Sequence, residues 1–296
     1  MFRLSTSLFC ILLATNLWAD CAPDYRSDKK SGVFVEDFVI NGTSILSSQD
    51  LLKIRSRLIG ACIDSDTDDV KLRVKGFFQN DGYYAVDIKN LSIHLVDALA
   101  QPKSVNLEVD VAEGQIFKFG RVRFVGNHAF QEPELRQSFP LRKGEIFNRS
   151  ALAAGLHVVG KLYSQNGFGD AMFTPDSTAD LGNSLVNLTV TIVEGPQYHM
   201  GKLLVVGKLD KDDIAAQLQT GWGISEGMVF NFSYPAEYIK RNLDLLPKSF
   251  SQNDLQIVRN CPEASVAVWL ILQESALASP SPPKAVTCEP SQEKKQ

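Results

Sequence analysis

Hydrophobic and polar residues alternate strictly in two stretches of this chain. Val105, Leu107, Val109 and Val111 are spaced two apart, as are Val186, Leu188, Val190 and Ile192. A period of two predicts strands with one buried face. Each stretch reaches a Glu-Gly pair, Glu113-Gly114 and Glu194-Gly195, then a second apolar run ending at Gly126 and at Gly207. The two passages, "VNLEVDVAEGQIFKFGRVRFVG" and "VNLTVTIVEGPQYHMGKLLVVG", align without a gap. Recurrence on this scale predicts repeated structural units.

Between these passages the apolar spacing becomes helical. Val70, Val74, Phe77 and Phe78, and later Leu152, Leu156, Val159 and Tyr163, fall on one face of a 3.6-residue period. Shorter helices are predicted ahead of them at 49–59 and 132–139, with a third at 212–220. Asn148 or Ser150, and Asn231 or Ser233, are suited to cap the second helices. "KGEIFNRSALAAG" resembles "EGMVFNFSYPAEY", and "YSQNGFGD" resembles both "FSQNDLQI" and the earlier "FFQNDGYYA". "VEDFVINGT" resembles the strand that ends in "VRFVGN". Three units emerge, each in the order β-α-α-β-β. The fold class is α+β, each unit a three-stranded mixed sheet covered by two helices. The third unit drifts: its second helix is expected to be longer and broken near Pro247, and Glu274-Ser275 stands where the others have Glu-Gly.

These residues carry a resemblance. A strand ending in Glu-Gly followed by Phe117 to Asn127, together with Leu135 to Asn148 and Leu162 to Phe168, resembles the POTRA (polypeptide-transport-associated) domains. Such domains precede the outer-membrane barrel in assembly proteins of the BamA/TamA type. The resemblance covers about Val33 to Ser275 and implies the same β-α-α-β-β fold. It divides the chain into a signal peptide (1–19), an N-terminal segment (20–32), three POTRA-like domains (33–114, 115–195 and a divergent 196–275) and a Pro/Ser-rich tail (276–296). A barrel needs at least eight strands of about nine to eleven residues. Only 21 residues follow Ser275, so no barrel is expected in this sequence.

Charge and composition narrow the function. A formal net charge of −4 disfavours nucleic acid, which needs a concentrated basic surface. The first 20 residues have the layout of a secretory signal, with cleavage expected after Ala19, and the expected location is the periplasm. Cys21 leaves a lipoprotein open, although Asp20 before it fits poorly. No membrane span is expected after signal cleavage. Export leaves Cys21, Cys62, Cys261 and Cys288 as candidate disulfide residues in three possible pairings, with neighbour pairing and a buried free thiol both open.

Catalytic and metal chemistry is missing from the pattern. His94, His128, His157 and His199 form no paired-ligand motif. "DSDTDD" fails the calcium-loop pattern, because Asp69 and Lys75 stand where Gly and Glu are required, and reads better as a helix start. The sequence predicts no enzyme, no cofactor and no metal.

The remaining resource is sheet edge, which offers unpaired backbone groups to an extended peptide. In POTRA-like folds the second strand is generally the exposed edge. Here that is Val86 to Val96, Ala171 to Pro175 and Leu255 to Val258. Ala171, Met172, Phe173 and Thr174 are the candidate peptide-binding residues. Glu113, Gly114, Glu194 and Gly195 are the candidate joints between domains. The expected role is a scaffold or holding module in outer-membrane protein assembly or secretion. Its expected partners are envelope proteins, unfolded outer-membrane proteins or a separate barrel protein. The alternatives are a self-associating structural envelope protein, and hence a homo-oligomer, or a barrel-less remnant of an assembly protein.

Overall fold

A computed structural model describes residues 33–43, 47–63, 67–97, 99, 103–208 and 213–273. The proposed signal, N-terminal segment and tail, with Cys21 and Cys288, lie outside the described residues. The chain divides into two compact units, Met1–Ile116 and Phe117–Gln296.

The first unit runs β1 (Val33–Asn41), α1 (Ser48–Leu58), β2 (Cys62–Ile63), α2 (Thr67–Asn80), β3 (Asp87–Asp97) and β4 (Ser104–Ala112). The second unit contains two modules. One runs β5 (Lys118–Val125), α3 (Glu132–Gln137), α4 (Arg149–Gln165), β6 (Met172–Asp180) and β7 (Leu185–Val193). The other runs β8 (His199–Lys208), α5 (Asp213–Thr220), α6 (Tyr234–Arg241), β9 (Leu255–Asn260) and β10 (Ser265–Gln273). The strand orders are β2-β1-β4-β3, β5-β7-β6 and β8-β10-β9. In each sheet the first strand pairs parallel with the last, which pairs antiparallel with the middle one. These three strands form the mixed arrangement that the sequence predicts, and the first sheet adds β2 to it.

Alternation places the core. Val105, Leu107, Val109 and Val111 are buried with Val70, Val74 and Phe78 of α2. Val186, Leu188, Val190 and Ile192 are buried in the second module, as are Val159 and Tyr163 of α4. The third module buries Val266, Val268, Leu270 and Leu272 against Leu218 and Tyr238. Burying one such side chain contributes about 1.5–3 kcal/mol.

The glycines ending the first strands have a specific reason to be glycine. Gly42, Gly126 and Gly207 have φ of +79°, +84° and +124°. A Cβ there would strike the carbonyl oxygen of Val111, Ile192 and Leu272 respectively, at the same place in each sheet. Conformation and close approach therefore exclude a side chain together.

The structure corrects three expectations. The first sheet carries an additional two-residue strand, β2, on β1. The second helix of the third module is shorter, not longer: α6 has 8 residues against 17 in α4. It stops at Asn242, ahead of Pro247, and a 3-10 turn follows at Leu243–Leu245. The middle strand of the second module spans Met172–Asp180, so Ala171 lies just outside it and Pro175 lies within it. Proline is tolerated there because the strand is an edge. Asn148 caps α4, accepting from the Ala151 N–H at 2.7 Å. Ser233 precedes α6 without a side-chain cap bond.

Candidate functional site

The two edges of each sheet are treated differently. One edge is closed by the segment joining the two helices. In the first module Gly60 N–H donates to Val35 O (2.8 Å), and Val35 N–H donates to Ala61 O (3.0 Å). In the second, Gly144 N–H donates to Phe119 O (2.8 Å), Phe119 N–H to Glu145 O (2.7 Å) and Phe147 N–H to Phe117 O (3.0 Å). In the third, Gly227 N–H donates to Met200 O (2.7 Å), Met200 N–H to Met228 O (2.7 Å) and Phe230 N–H to Tyr198 O (2.9 Å). An apolar anchor follows each closure: Ile63, Phe147 and Phe230 are all buried. The sequence shows the lone signal of this device in its "GEIF" and "GMVF" stretches, which carry Gly144 and Gly227.

The opposite edges are β3, β6 and β9. Along β6 every side chain but Phe173 and Asp180 is exposed. Met172 and Thr174 are exposed, and Phe173 is half-buried, its ring 5.3 Å from that of Tyr163. Ile93, Leu95 and Val96 of β3 are exposed apolar side chains. β3 pairs Leu95 with Val105 and Ile93 with Leu107. Ile93 and Leu95 therefore share the core side of the sheet, at an end the helices leave uncovered.

The Glu194 carboxylate turns inward. Its Oε1 accepts from the backbone N–H groups of His128 (2.8 Å) and Ala129 (2.9 Å) and from the Tyr163 hydroxyl (2.8 Å). It thereby ties the end of β7 to the loop after β5 and to α4. Burial and the neighbouring Glu194 carboxylate push the Tyr163 hydroxyl well above the usual tyrosine range.

The contacts between the second and third modules come from other residues. The Tyr198 hydroxyl donates to Asp170 Oδ2 at 2.6 Å. Arg259 Nε forms an ion pair with Asp170 Oδ1 at 3.1 Å. The Arg259 guanidinium lies 5.2 Å over the ring of Phe232, which meets Tyr198 edge to face at 5.8 Å. Backbone bonds run from Tyr198 N–H to Gly167 O (2.8 Å) and from Phe232 N–H to Ser164 O (3.2 Å). Gln197 Nε2 donates to Asn166 O at 3.0 Å. Gly169 lets the Phe232 ring approach the backbone, because a Cβ there would overlap the ring. Burial, then the Asp170 carboxylate, push the Tyr198 hydroxyl up as well.

Of the predicted joint residues, Gly195 has φ +70° and lies beside Asp170, with space for a Cβ. Gly114 has φ +78° and faces Ala85. Sequence reading missed Asp170, Tyr198, Phe232 and Arg259. A signal existed: Tyr198 aligns with Phe117, and the hydroxyl is the difference. Cys261 opens the turn between β9 and β10. Cys62 lies in β2, its side chain outside the described set. No helix among the described residues is long and apolar enough to cross a membrane.

Comparison with known proteins accords with this geometry. The POTRA family model, described as surface antigen variable number repeat, matches residues 117–195. A candidate outer membrane protein assembly factor of Treponema pallidum (strain Nichols) is 25% identical over 236 residues, 75% of this chain and 27% of that protein. The chain thus spans about a quarter of the length of that relative. The crystal structure of Haemophilus influenzae BamA POTRA3-5 is 20% identical, with a TM-score of 0.57, over 82% of this chain and 97% of that one. At that identity the likeness establishes the fold.

Proposed function

We propose that this chain, a tandem POTRA-domain protein, acts in the periplasm as a binding module for outer-membrane protein assembly or secretion. It works by holding extended segments, not by catalysis. The observation that carries this reading is the edge asymmetry. In every module the segment between the helices closes the first-strand edge. The same device leaves β3, β6 and β9 as the opposite edges. A peptide adding to one of them gains main-chain hydrogen bonds that tolerate many sequences. The relative described as a candidate outer membrane protein assembly factor supports the setting. Strand length supports the substrate class, since β3 has 11 residues and β6 has 9, and a transmembrane β-strand has about 9–11.

The test is titration of the chain with a peptide copying one strand of an outer-membrane barrel, followed by amide NMR. Shift changes should concentrate on β3 and β6. Changes confined to β1, β5 and β8, or an absence of binding at millimolar peptide, would sink the reading.

A further inference from the structure

The three open edges are not equally guarded. On β6, Pro175 takes one donor out of the edge, and Asp176 and Asp180 add charge. β9 has only 6 residues, and Arg259 near its end is held by Asp170. β3 is the longest, at 11 residues, with irregularities in its pairing to β4 at Lys89 and at Val96. Between them, the run from Asn90 to Leu95 carries no proline and no carboxylate or ammonium group. Its core-side residues are Leu91, Ile93 and Leu95, which pair with the buried Val109, Leu107 and Val105. Leu91 packs on the core of its own module, but Ile93 is 37% exposed and Leu95 is 54% exposed. Asn90, Ser92 and His94 face the other way. A weakly guarded edge with apolar side chains beside it is suited to take another strand.

We propose that this strand is β3 of a second copy, paired antiparallel about a two-fold axis through Ile93. A two-fold axis normal to the sheet keeps the core sides aligned, so each core-side residue meets a core-side residue of the other copy. Centred on Ile93, that residue meets its own counterpart, Leu91 meets Leu95, Ser92 meets His94 and Lys89 meets Asp97. Apolar side chains meet apolar ones, polar meet polar, and the flanking charges are opposite. Asn90 meets Val96, the one mixed pair, where the pairing to β4 is irregular. Neighbouring registers do worse. Centring on Ser92 sets Asp87 against Asp97, and centring on His94 sets Leu91 against Asp97. Centring on Leu91 sets Lys89 against Ile93, and centring on Leu95 sets Ile93 against Asp97. Lys89 holds Asp87 of its own strand at 2.8 Å, an exposed ion pair that is worth little and exchanges readily. The product is one eight-stranded sheet, four strands from each copy, with the helices on one side. Pairing of one edge stays below the total of about 1,200 Å² buried in stable complexes, so it is reversible. It covers Ile93 and Leu95 and closes the edge to which an extended segment is proposed to add, so that such a segment must displace the second copy. This consequence rests on the proposed binding role, whereas the pairing itself does not.

The test is sedimentation equilibrium on the full chain, from low micromolar to millimolar concentration. A reversible equilibrium between monomer and dimer is expected. Ile93→Lys sets two ammonium groups against each other at the axis and should weaken the dimer about tenfold, with far-UV circular dichroism unchanged. Lys89→Glu and Asp97→Lys should each weaken it about threefold, and the two together in one chain should restore wild-type dimerisation. A merely disturbed fold would not be rescued by the second change. A chain that stays monomeric overturns the proposal, as does a dimer indifferent to Ile93→Lys or a double variant weaker than either single one. Adding a peptide that copies a barrel strand to the wild-type dimer separates this proposal from the binding role. Dissociation supports both, whereas a dimer that persists with no peptide bound upholds the pairing and sinks the binding role.

Discussion

The second and third modules share a chain path, and each contains a tyrosine hydroxyl bonded to a carboxylate. Tyr163 donates to Glu194 within the second module, at 2.8 Å. Tyr198 donates to Asp170 across the boundary between the two, at 2.6 Å. The chemistry is the same, and both hydroxyls are pushed up by burial and by the adjacent acid. Their consequences differ because of what the acid holds besides the tyrosine. Glu194 also accepts two backbone N–H groups of the loop after β5, so it stabilises one module. Asp170 also holds Arg259 of β9, so it fixes one module against the next. The residue at the boundary in sequence is thus an internal lock, and the joint lies in the loop ahead of β6 and on β9.

Breaking the lock should have the larger effect. Glu194→Ala removes the acceptor of three donors, one of them the hydroxyl of the fully buried Tyr163. A loss of about 2 kcal/mol is expected, since water can replace the bonds to the two exposed amides but reaches the hydroxyl poorly. Urea denaturation should show it as a lowered midpoint with an unchanged slope. The angle between the second and third modules, read from residual dipolar couplings, should stay as it is. A changed angle would return Glu194 to the joint.

Asp170→Ala should reverse that signature. It leaves the Tyr198 hydroxyl and Arg259 without their shared acid, at a cost of about 1.5 kcal/mol. Residual dipolar couplings should report a wider spread of angles between the modules. Gly169→Val tests the same joint by a different route, because its side chain displaces the Phe232 ring and with it the seat of Arg259. If both variants keep the wild-type angle, the backbone bonds at Gly167 and Ser164 suffice to set it.

Much of the fold was legible because repetition exposes it. The alternation at Val105–Val111 and Val186–Ile192 located two core strands. The recurring glycine at Gly42, Gly126 and Gly207 marked a position that no side chain can occupy. The closed edges were less legible. A two-residue strand such as Cys62–Ile63 has no periodicity to read, and its pairing depends on tertiary register. The joint was harder to read for another reason. Asp170 and Arg259 are far apart in sequence and ordinary in their local pattern, and Tyr198 departs from its counterpart Phe117 only by a hydroxyl. The short α6 was also hidden, because the apolar positions Leu243, Leu245 and Leu246 continue a helical spacing while the backbone turns at Asn242.

The smallest expected effect concerns the boundary glycine itself. Gly195 has φ +70°, and a Cβ there would make only ordinary contact with Asp170, at 3.6 Å. Gly195→Ala should therefore cost about 1 kcal/mol through backbone strain and little through crowding. Gly195→Asn, whose side chain tolerates the left-handed region, should recover much of that loss. Neither should change the angle between the modules, because the contacts that set it lie on Asp170, Tyr198, Phe232 and Arg259 and not on the turn. A change of angle in Gly195→Ala that Gly195→Asn reverses would show the turn conformation to be a second determinant of the joint, equal in standing to the Asp170 cluster.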